Sequence, residues 1–285
     1  MAKLFRLYDY EKEGPGVEKN ERKKKGFFAF FEIYFRNFWS FFRMGPVYWV
    51  VCLPLVTNGL AAVGMTHIAR STTREKHSFL MSDFLETVKK NWKQALPLGI
   101  INLVVSVLAV VDVWYFWSYL TASKEMTAFG VIGLGVAFFL LISVIIMKYY
   151  IWTLTITFSL PLSKLIKNSF HFVFLNLPRN LMIAVIMGII YVGLYILAVI
   201  NPFCFILALV LLVCVVPGFK ASLVQANTFP VIQKYMIDPY YAEHKGEDIE
   251  KRRALGLDIP EDELPETEQN EDSVFTDPAS RSEEE

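Results

Sequence analysis

Long apolar tracts, separated by short basic or polar connections, dominate the chain from residue 38 to residue 224. Several of them approach or exceed the roughly 18 uncharged apolar residues that are typical of a helix that crosses a bilayer. The apolar segments are 38–56, 57–73, 96–119, 127–151, 180–199 and 203–224. This pattern predicts an all-α fold, a polytopic membrane helix bundle with five or six membrane helices.

Two further segments are predicted to be interfacial helices on the cytoplasmic side. The first begins at Ser82, which favours a helix start, and it places Phe84, Val88 and Trp92 on one face with lysines off that face. The second, at 162–176, separates apolar and basic positions in the same way. Each leads through a proline into an apolar segment.

A helix break is predicted inside the first apolar tract, at Pro54, Thr57, Asn58 and Gly59. Proline removes a backbone donor, and lipid offers no partner to the backbone groups that a break sets free. The sequence favours a hairpin of two helices that cross the bilayer, in which Thr57 or Asn58 caps the second helix. A single kinked span, with the N-terminus outside, is the alternative.

The distribution of positive charge predicts the orientation, because short cytoplasmic loops hold an excess of Lys and Arg. The stretch 68–94 has six basic residues and 148–180 has four without an acid, whereas 119–126 has one base and 200–202 has none. In this assignment, Lys148 and Lys220 are bases at the cytoplasmic ends of apolar segments. With the hairpin, both termini of this multi-pass protein are expected to be cytoplasmic.

Composition divides the chain into three parts, although the formal net charge of the 285 residues is zero. Residues 1–25 are expected to form a polar cytoplasmic segment, 26–240 the transmembrane helical domain, and 241–285 an acidic disordered cytoplasmic tail. The basic residues of the body flank apolar segments. The lipid bilayer, and no nucleic acid, is therefore the expected partner.

The sequence contains no recognisable enzyme signature, such as a phosphate-binding Gly-rich loop, a nucleophile elbow or HExxH. The four histidines are far apart along the chain, and the three cysteines lie in apolar runs without ligand spacing. We therefore expect no enzymatic activity, no catalytic residue, no metal and no cofactor.

Three polar residues in apolar surroundings are candidate functional or structural groups. Asp112 is either a coupling acid or, since Trp114 and Trp117 mark an interface, an acid that water reaches at the outer interface. Asn102 is expected to bond to a neighbouring helix rather than to a solute. His67 is expected to have a structural role near the cytoplasmic interface.

Several short motifs follow one another in a fairly specific order along residues 1–240. They are GPGVEK at 14–19, KKKGFF at 23–28, FEI at 31–33, LPLVTNG at 53–59, SDF at 82–84, KNWKQ at 90–94, NLPR at 176–179 and VPG at 216–218. In this order the chain resembles the YesL family of bacterial integral membrane proteins, which has no assigned biochemical activity. Family members more often have Gly-Pro where this chain has Asn58-Gly59.

The resemblance implies a location in the bacterial cell membrane and, because family members are often encoded beside carbohydrate uptake systems, a role linked to carbohydrate uptake. One hypothesis is a non-enzymatic accessory or regulatory component that contacts a carbohydrate importer or sensor subunit. The alternative is an autonomous secondary transporter or channel for a small solute. That class typically shows broken helices that converge near the midplane, and the sequence supplies one such element without a matching second one.

Removal of residues 258–285 is expected to leave membrane insertion and helix packing intact. This segment has twelve acidic residues and one basic residue, so it has too little apolar surface to offset the entropy that ordering would cost. The measurement is membrane yield and thermal stability in detergent of a chain that ends at Leu257. A clear decrease in either quantity would show that the tail docks on the body.

Overall fold

The computed structural model describes residues 27–74, 79–123 and 127–243. The polar segment 1–25 and the tail from 244 onward lie outside the described residues, and 241–243 end the last helix. All regular elements in the described part are helical, which confirms the predicted all-α bundle. The elements are α1 (Phe27–Arg36), α2 (Phe38–Cys52), a 3₁₀ turn (Leu55–Thr57), α3 (Asn58–Thr73), α4 (Leu80–Ser123), α5 (Ala128–Thr157), α6 (Leu162–Leu175), α7 (Leu177–Ile200), α8 (Pro202–Val210), a π-helical segment (Leu211–Val215), α9 (Val216–Ile232), a second π-helical segment (Gln233–Ile237) and α10 (Asp238–Glu243).

Four helices are long and apolar enough to cross a membrane. They are α4, α5, α7 and the continuous helix Pro202–Tyr241, which α8, α9 and the π-helical segments build together. Helices α2 and α3 have 15 and 16 residues, about 23 Å each at 1.5 Å per residue. The predicted five or six membrane helices therefore correspond to four spanning candidates and two shorter helices.

The two ends of the bundle differ in their charge. One end, which we call the basic end, contains Arg70 and Arg74 at the end of α3. It also contains the lysines in the third and fourth turns of α4, which are Lys89, Lys90 and Lys93. At the other, the apolar end, α4 approaches α5 and α7 turns into α8 at Asn201. The side chain of Asn201 caps α8 by accepting a hydrogen bond from the amide of Cys204.

The segment from Ser82 differs from the prediction of a separate interfacial helix, because it is the first part of the 44-residue helix α4. The helix continues through Pro97. Proline is tolerated inside a membrane helix where neighbouring structure compensates for the missing donor, and here α3 packs closely against the same turn. The second predicted interfacial segment is a helix of its own, α6.

The break in the first apolar tract lies between Cys52 and Asn58. Pro54 precedes a single 3₁₀ turn, and Leu55 has a φ of 24°, a backbone region that costs a non-glycine residue about 1–3 kcal/mol. Thr57 occupies the N-cap position of α3 without capping it. Its hydroxyl instead donates to the carbonyl of Val51, so it satisfies the end of α2 rather than the start of α3.

The α2–α3 hairpin enters the bundle from the basic end and turns back inside it. At its turn, Gly59 lies against Gly99, which is 24 residues before the end of α4 at Ser123, about 36 Å along the helix. Trp49 in α2 reaches the carbonyl of Leu212, ten residues after the start of α8 at Pro202, about 15 Å. The hairpin is therefore re-entrant and does not cross the bundle, in contrast to the two-crossing hairpin that the sequence favoured.

A buried hydrogen-bond node joins α5, α6 and α7. The Tyr150 hydroxyl donates to Asn180 Oδ1 over 2.7 Å. Asn180 Nδ2 donates in turn to the carbonyls of Phe172 and Val173, both at 3.1 Å. The node satisfies carbonyls at the end of α6 that have no partner within that helix.

Replacement of Gly59 by alanine is expected to lower the thermal stability of the protein. A Cβ there would overlap the carbonyl oxygen of Ala95 and lie 2.8 Å from Cα of Gly99, so α3 would have to move away from α4. The matched control is Gly193→Ala, because no described atom lies within 4 Å of its Cβ position.

The control should be neutral or stabilising by about 0.5–1 kcal/mol, the usual gain when alanine replaces glycine inside a helix. Unfolding of the two variants would be followed by tryptophan fluorescence in the same detergent. Equal melting temperatures for Gly59→Ala and Gly193→Ala would contradict the close packing of the hairpin against α4.

Candidate functional site: a cavity between two helix breaks

A cavity of about 380 Å³ lies inside the bundle, between the hairpin and the helices α4, α5, α7 and α9. This volume is within the range of small-molecule sites. The turn of the hairpin contributes Leu55 and Asn58 to its wall. The strained Leu55 therefore belongs to the cavity.

The opposite wall contains a second helix break. Residues Leu211–Val215 are π-helical, with the amide of Val216 donating to the carbonyl of Leu211. Pro217 follows directly and has no amide hydrogen to donate. Insertions of this type are frequent at functional sites, and both Val216 and Pro217 line the cavity.

Helix α2 compensates for this second break. In the π-helical pattern Pro217 would donate to the carbonyl of Leu212, and the indole nitrogen of Trp49 donates to that carbonyl instead, over 3.3 Å. One turn earlier, Gly45 lies so close to the carbonyls of Val213 and Cys214 that a Cβ would overlap them. Helix α2, which leads into the first break, is thus in direct contact with the second.

Asn102 is the most unusual polar residue of the cavity. Its side chain is 2% exposed, and neither its amide nitrogen nor its carbonyl oxygen has a hydrogen-bond partner in the described part of the chain. A buried polar group without a partner costs about 1–3 kcal/mol. Because buried polar groups in native proteins are almost always satisfied, this amide indicates a partner that comes from outside the chain.

Two lysines, Lys148 and Lys220, also line the cavity. Both are partly buried, and two like charges in one cavity repel each other. No aspartate or glutamate is among the described residues that line the cavity. The cavity is therefore electropositive.

The two lysines and Asn102 lie at one depth. Asn102 is 21 residues before the end of α4, Lys148 is 20 residues after the start of α5, and Lys220 is 18 residues after the start of α8. These separations correspond to about 27–32 Å from the apolar end. Three helices therefore bring one amide and two cations to the same level.

Aromatic side chains form much of the remaining wall. Tyr48 and Trp49 come from α2, Tyr149 and Trp152 from α5, and Tyr191 from α7. Aromatic rings provide flat apolar faces, while tyrosine hydroxyls add hydrogen-bonding groups. The wall thus combines apolar surface with a few convergent polar groups, as in many ligand sites.

The structure brings together only some of the residues that the sequence singled out. Asn102 and Asn58 line the cavity, and Pro54, Thr57 and Gly59 shape the turn at its edge. The expected bond of Asn102 to a neighbouring helix is not observed in the described residues. Asp112 is exposed on the outer surface of α4, and the half-buried His67 is not among the residues that line the cavity.

Sequence reasoning missed the lysines, which it had assigned to cytoplasmic helix ends. Lys148 is nine residues before the end of α5, and Lys220 is inside a 40-residue helix. The available signal was that each is a single base within an apolar run. In the described part of the chain, no group of three His, Cys, Asp or Glu side chains is arranged to hold a metal.

Asp112→Asn is expected to insert and fold like the parent protein, with a change in stability within about 0.5 kcal/mol, as for other surface substitutions. Asp112 is exposed beside the exposed Trp114 and Tyr115, so the carboxylate is not held by the core. The measurement is expression and thermal stability in detergent.

Asn180→Leu is the contrasting variant for this experiment, because it would release the buried carbonyls of Phe172 and Val173. It should destabilise by about 1–3 kcal/mol for each group left unsatisfied. A loss of fold in Asp112→Asn comparable to that in Asn180→Leu would contradict the peripheral position of Asp112.

Comparison with known proteins gives one partial match. Residues 46–113 match a family described as "Protein of unknown function, DUF624". The matched part runs from Pro46 in α2 through the hairpin to Val113 in α4, and it includes Asn58 and Asn102 but neither of the cavity lysines. No curated protein sequence and no solved structure matches the chain. The chain is therefore similar, over about a quarter of its length, to a family of unknown function.

Proposed function

We propose that this membrane protein binds a small solute in the cavity and moves it across the bilayer as a secondary transporter, without catalysing a reaction. The observation that supports this best is the meeting of two helix breaks around a cavity that contains the unpartnered Asn102. Secondary transporters typically build their sites from discontinuous helices inside the membrane. The second broken element, Leu211–Val215 with Pro217, is the one that the sequence alone had not supplied.

The geometry also offers a means of movement. The turn of the hairpin contains a strained residue, Leu55, and Trp49 connects the hairpin to the π-helical segment. Strained backbone is common in segments that switch between two conformations. A shift of the hairpin relative to α9 would change both sides of the cavity at once.

We place the basic end in the cytoplasm, in accordance with the excess of Lys and Arg there. On this orientation the hairpin enters from the cytoplasmic leaflet. The cavity then lies in the inner half of the bilayer, about 27–32 Å from the outer helix ends.

A second candidate is an accessory component of a carbohydrate importer, in which the cavity senses a solute without transporting it. The YesL resemblance implies this role, and α6 offers a surface for another subunit. That helix has exposed Phe170 and Phe174 next to exposed Lys164 and Lys167. The two candidates differ in whether the cavity opens to both sides of the membrane.

The native Cys52 provides a test, because it lines the cavity and is a free thiol. In a variant that retains Cys52 while Cys204 and Cys214 are replaced by alanine, a membrane-impermeant maleimide would be applied to right-side-out and inside-out vesicles. Transport predicts labelling of Cys52 from both sides. The accessory role predicts labelling from the cytoplasmic side alone.

The matched control retains only Cys204, which lies in the first turn of α8 at the apolar end, and it should be labelled from the outside alone. If Cys52 is labelled from neither side while this control reacts, then water does not reach the cavity. That result would contradict both candidate functions.

A further inference from the structure

We infer that the ligand of the cavity is a small anion that carries hydroxyl groups, a carboxylate or phosphate group attached to a polyhydroxylated body. This inference rests on the proposed function, because it assumes that the cavity binds a ligand. It adds the chemical class of that ligand.

The charges of the cavity support an anion. Lys148 and Lys220 line the same cavity, where two like charges repel each other, and no carboxylate is among the described lining residues. A buried charge is costly unless it is paired, and two like charges side by side increase that cost. An anion between the two ammonium groups would remove the repulsion and pair both cations.

Neither lysine is at the end of its helix. Lysines near helix ends extend their ammonium groups to the interface, but Lys148 is nine residues before the end of α5 at Thr157, about 14 Å along the helix. Lys220 is farther from its helix end, with 21 residues between it and Tyr241. Their charges therefore stay at the level of the cavity.

The remaining lining indicates the neutral part of the ligand. Asn102 offers two donors and an acceptor that are not used within the described chain, and these match hydroxyl groups. The rings of Trp49 and Trp152 and the hydroxyl-bearing rings of Tyr48, Tyr149 and Tyr191 supply apolar faces with polar edges. Such a lining suits a hydroxylated body better than a bare inorganic ion.

A cell contains two kinds of ligand with this chemistry. One is a soluble sugar acid, and the other is the headgroup of a phospholipid such as phosphatidylglycerol. Both combine an anionic group with hydroxyl groups. The experiment therefore needs one arm for each source.

In the soluble arm, the full chain would be reconstituted in nanodiscs of phosphatidylcholine, and binding of glucose, glucuronate and glucosamine would be measured by calorimetry. The three probes share one ring and differ in charge. Glucuronate should bind at least tenfold more tightly than glucose, and glucosamine more weakly than glucose. In the lipid arm, purified protein would be exposed to phosphatidylglycerol and phosphatidylcholine in equal amounts, and retained lipid would be identified by native mass spectrometry.

The double variant Lys148→Met, Lys220→Met keeps side-chain length and removes both charges. It should reduce the preference for glucuronate to within about twofold, and any selective retention of phosphatidylglycerol should disappear. The matched control is Lys164→Met, Lys167→Met on exposed positions of α6, which should behave like the parent. If the double variant does not fold, the comparison of glucose, glucuronate and glucosamine binding to the parent protein still tests the inference.

A lysine-dependent preference for the anion in either arm supports the inference, and the arm that shows it identifies the source. Equal binding of glucose and glucuronate without lipid selectivity, or a preference for glucosamine, would overturn the inference while the proposed function stands. A preference that survives in the double variant would overturn the assignment to the two lysines. If none of the probes binds while Cys52 is labelled from neither side of the membrane, the proposed function fails together with the inference.

Discussion

The hydrogen bond from the indole of Trp49 to the carbonyl of Leu212 connects α2, the helix that leads into the first break, to the second break. Inside a bilayer, a backbone group that loses its helical partner finds no water, and each such group costs several kcal/mol. Pro217 creates this problem in the helix Pro202–Tyr241, and α2 supplies the missing donor. The position of the hairpin and the shape of that helix therefore depend on each other, and Gly45 allows the backbones to approach closely enough for this contact.

The cavity is a consequence of that arrangement. Where the α2–α3 hairpin and the helix Pro202–Tyr241 are interrupted, their side chains cannot interdigitate as they do along regular helices. The space between them is then lined by groups from several elements, among them the amide of Asn102 and the ammonium groups of Lys148 and Lys220. The buried amide of Asn180, by contrast, has its hydrogen bonds within the chain.

Much of the fold could be predicted from the sequence because apolar length and turn chemistry are local signals. Apolar length predicts the four long helices, and turn chemistry predicts the interruption around Pro54 and Gly59. The re-entrant path of the hairpin could not be predicted, since it depends on contacts between residues far apart in the sequence, such as Gly59 with Gly99. Continuity of α4 through Pro97 was missed for the same reason, because the packing of α3 against that turn is a tertiary effect.

The site was less predictable than the fold. Asn102 and Asn58 were visible as polar residues in apolar tracts, but the sequence does not reveal whether a buried amide has a partner. Asp112 has the stronger sequence signal and lies outside the cavity. In the sequence, the two lysines resemble ordinary charges that orient a protein in the membrane. Only the packing of three helices side by side shows that both lysines lie at the level of Asn102 and line one cavity. Side-chain direction around a helix, rather than residue type, separates a surface charge from a cavity charge.

The central claim, that two helix breaks enclose a hydrated polar cavity within the membrane, can be measured most directly by hydrogen–deuterium exchange in nanodiscs. The backbone amides of the two breaks, in peptides that cover 53–59 and 211–217, would be compared with those of the regular helix α7 in 183–197. The account predicts that both breaks exchange at least tenfold faster than α7, because water that enters the cavity would reach amides outside the regular α-helical pattern. Protection of both breaks equal to that of α7 would contradict it.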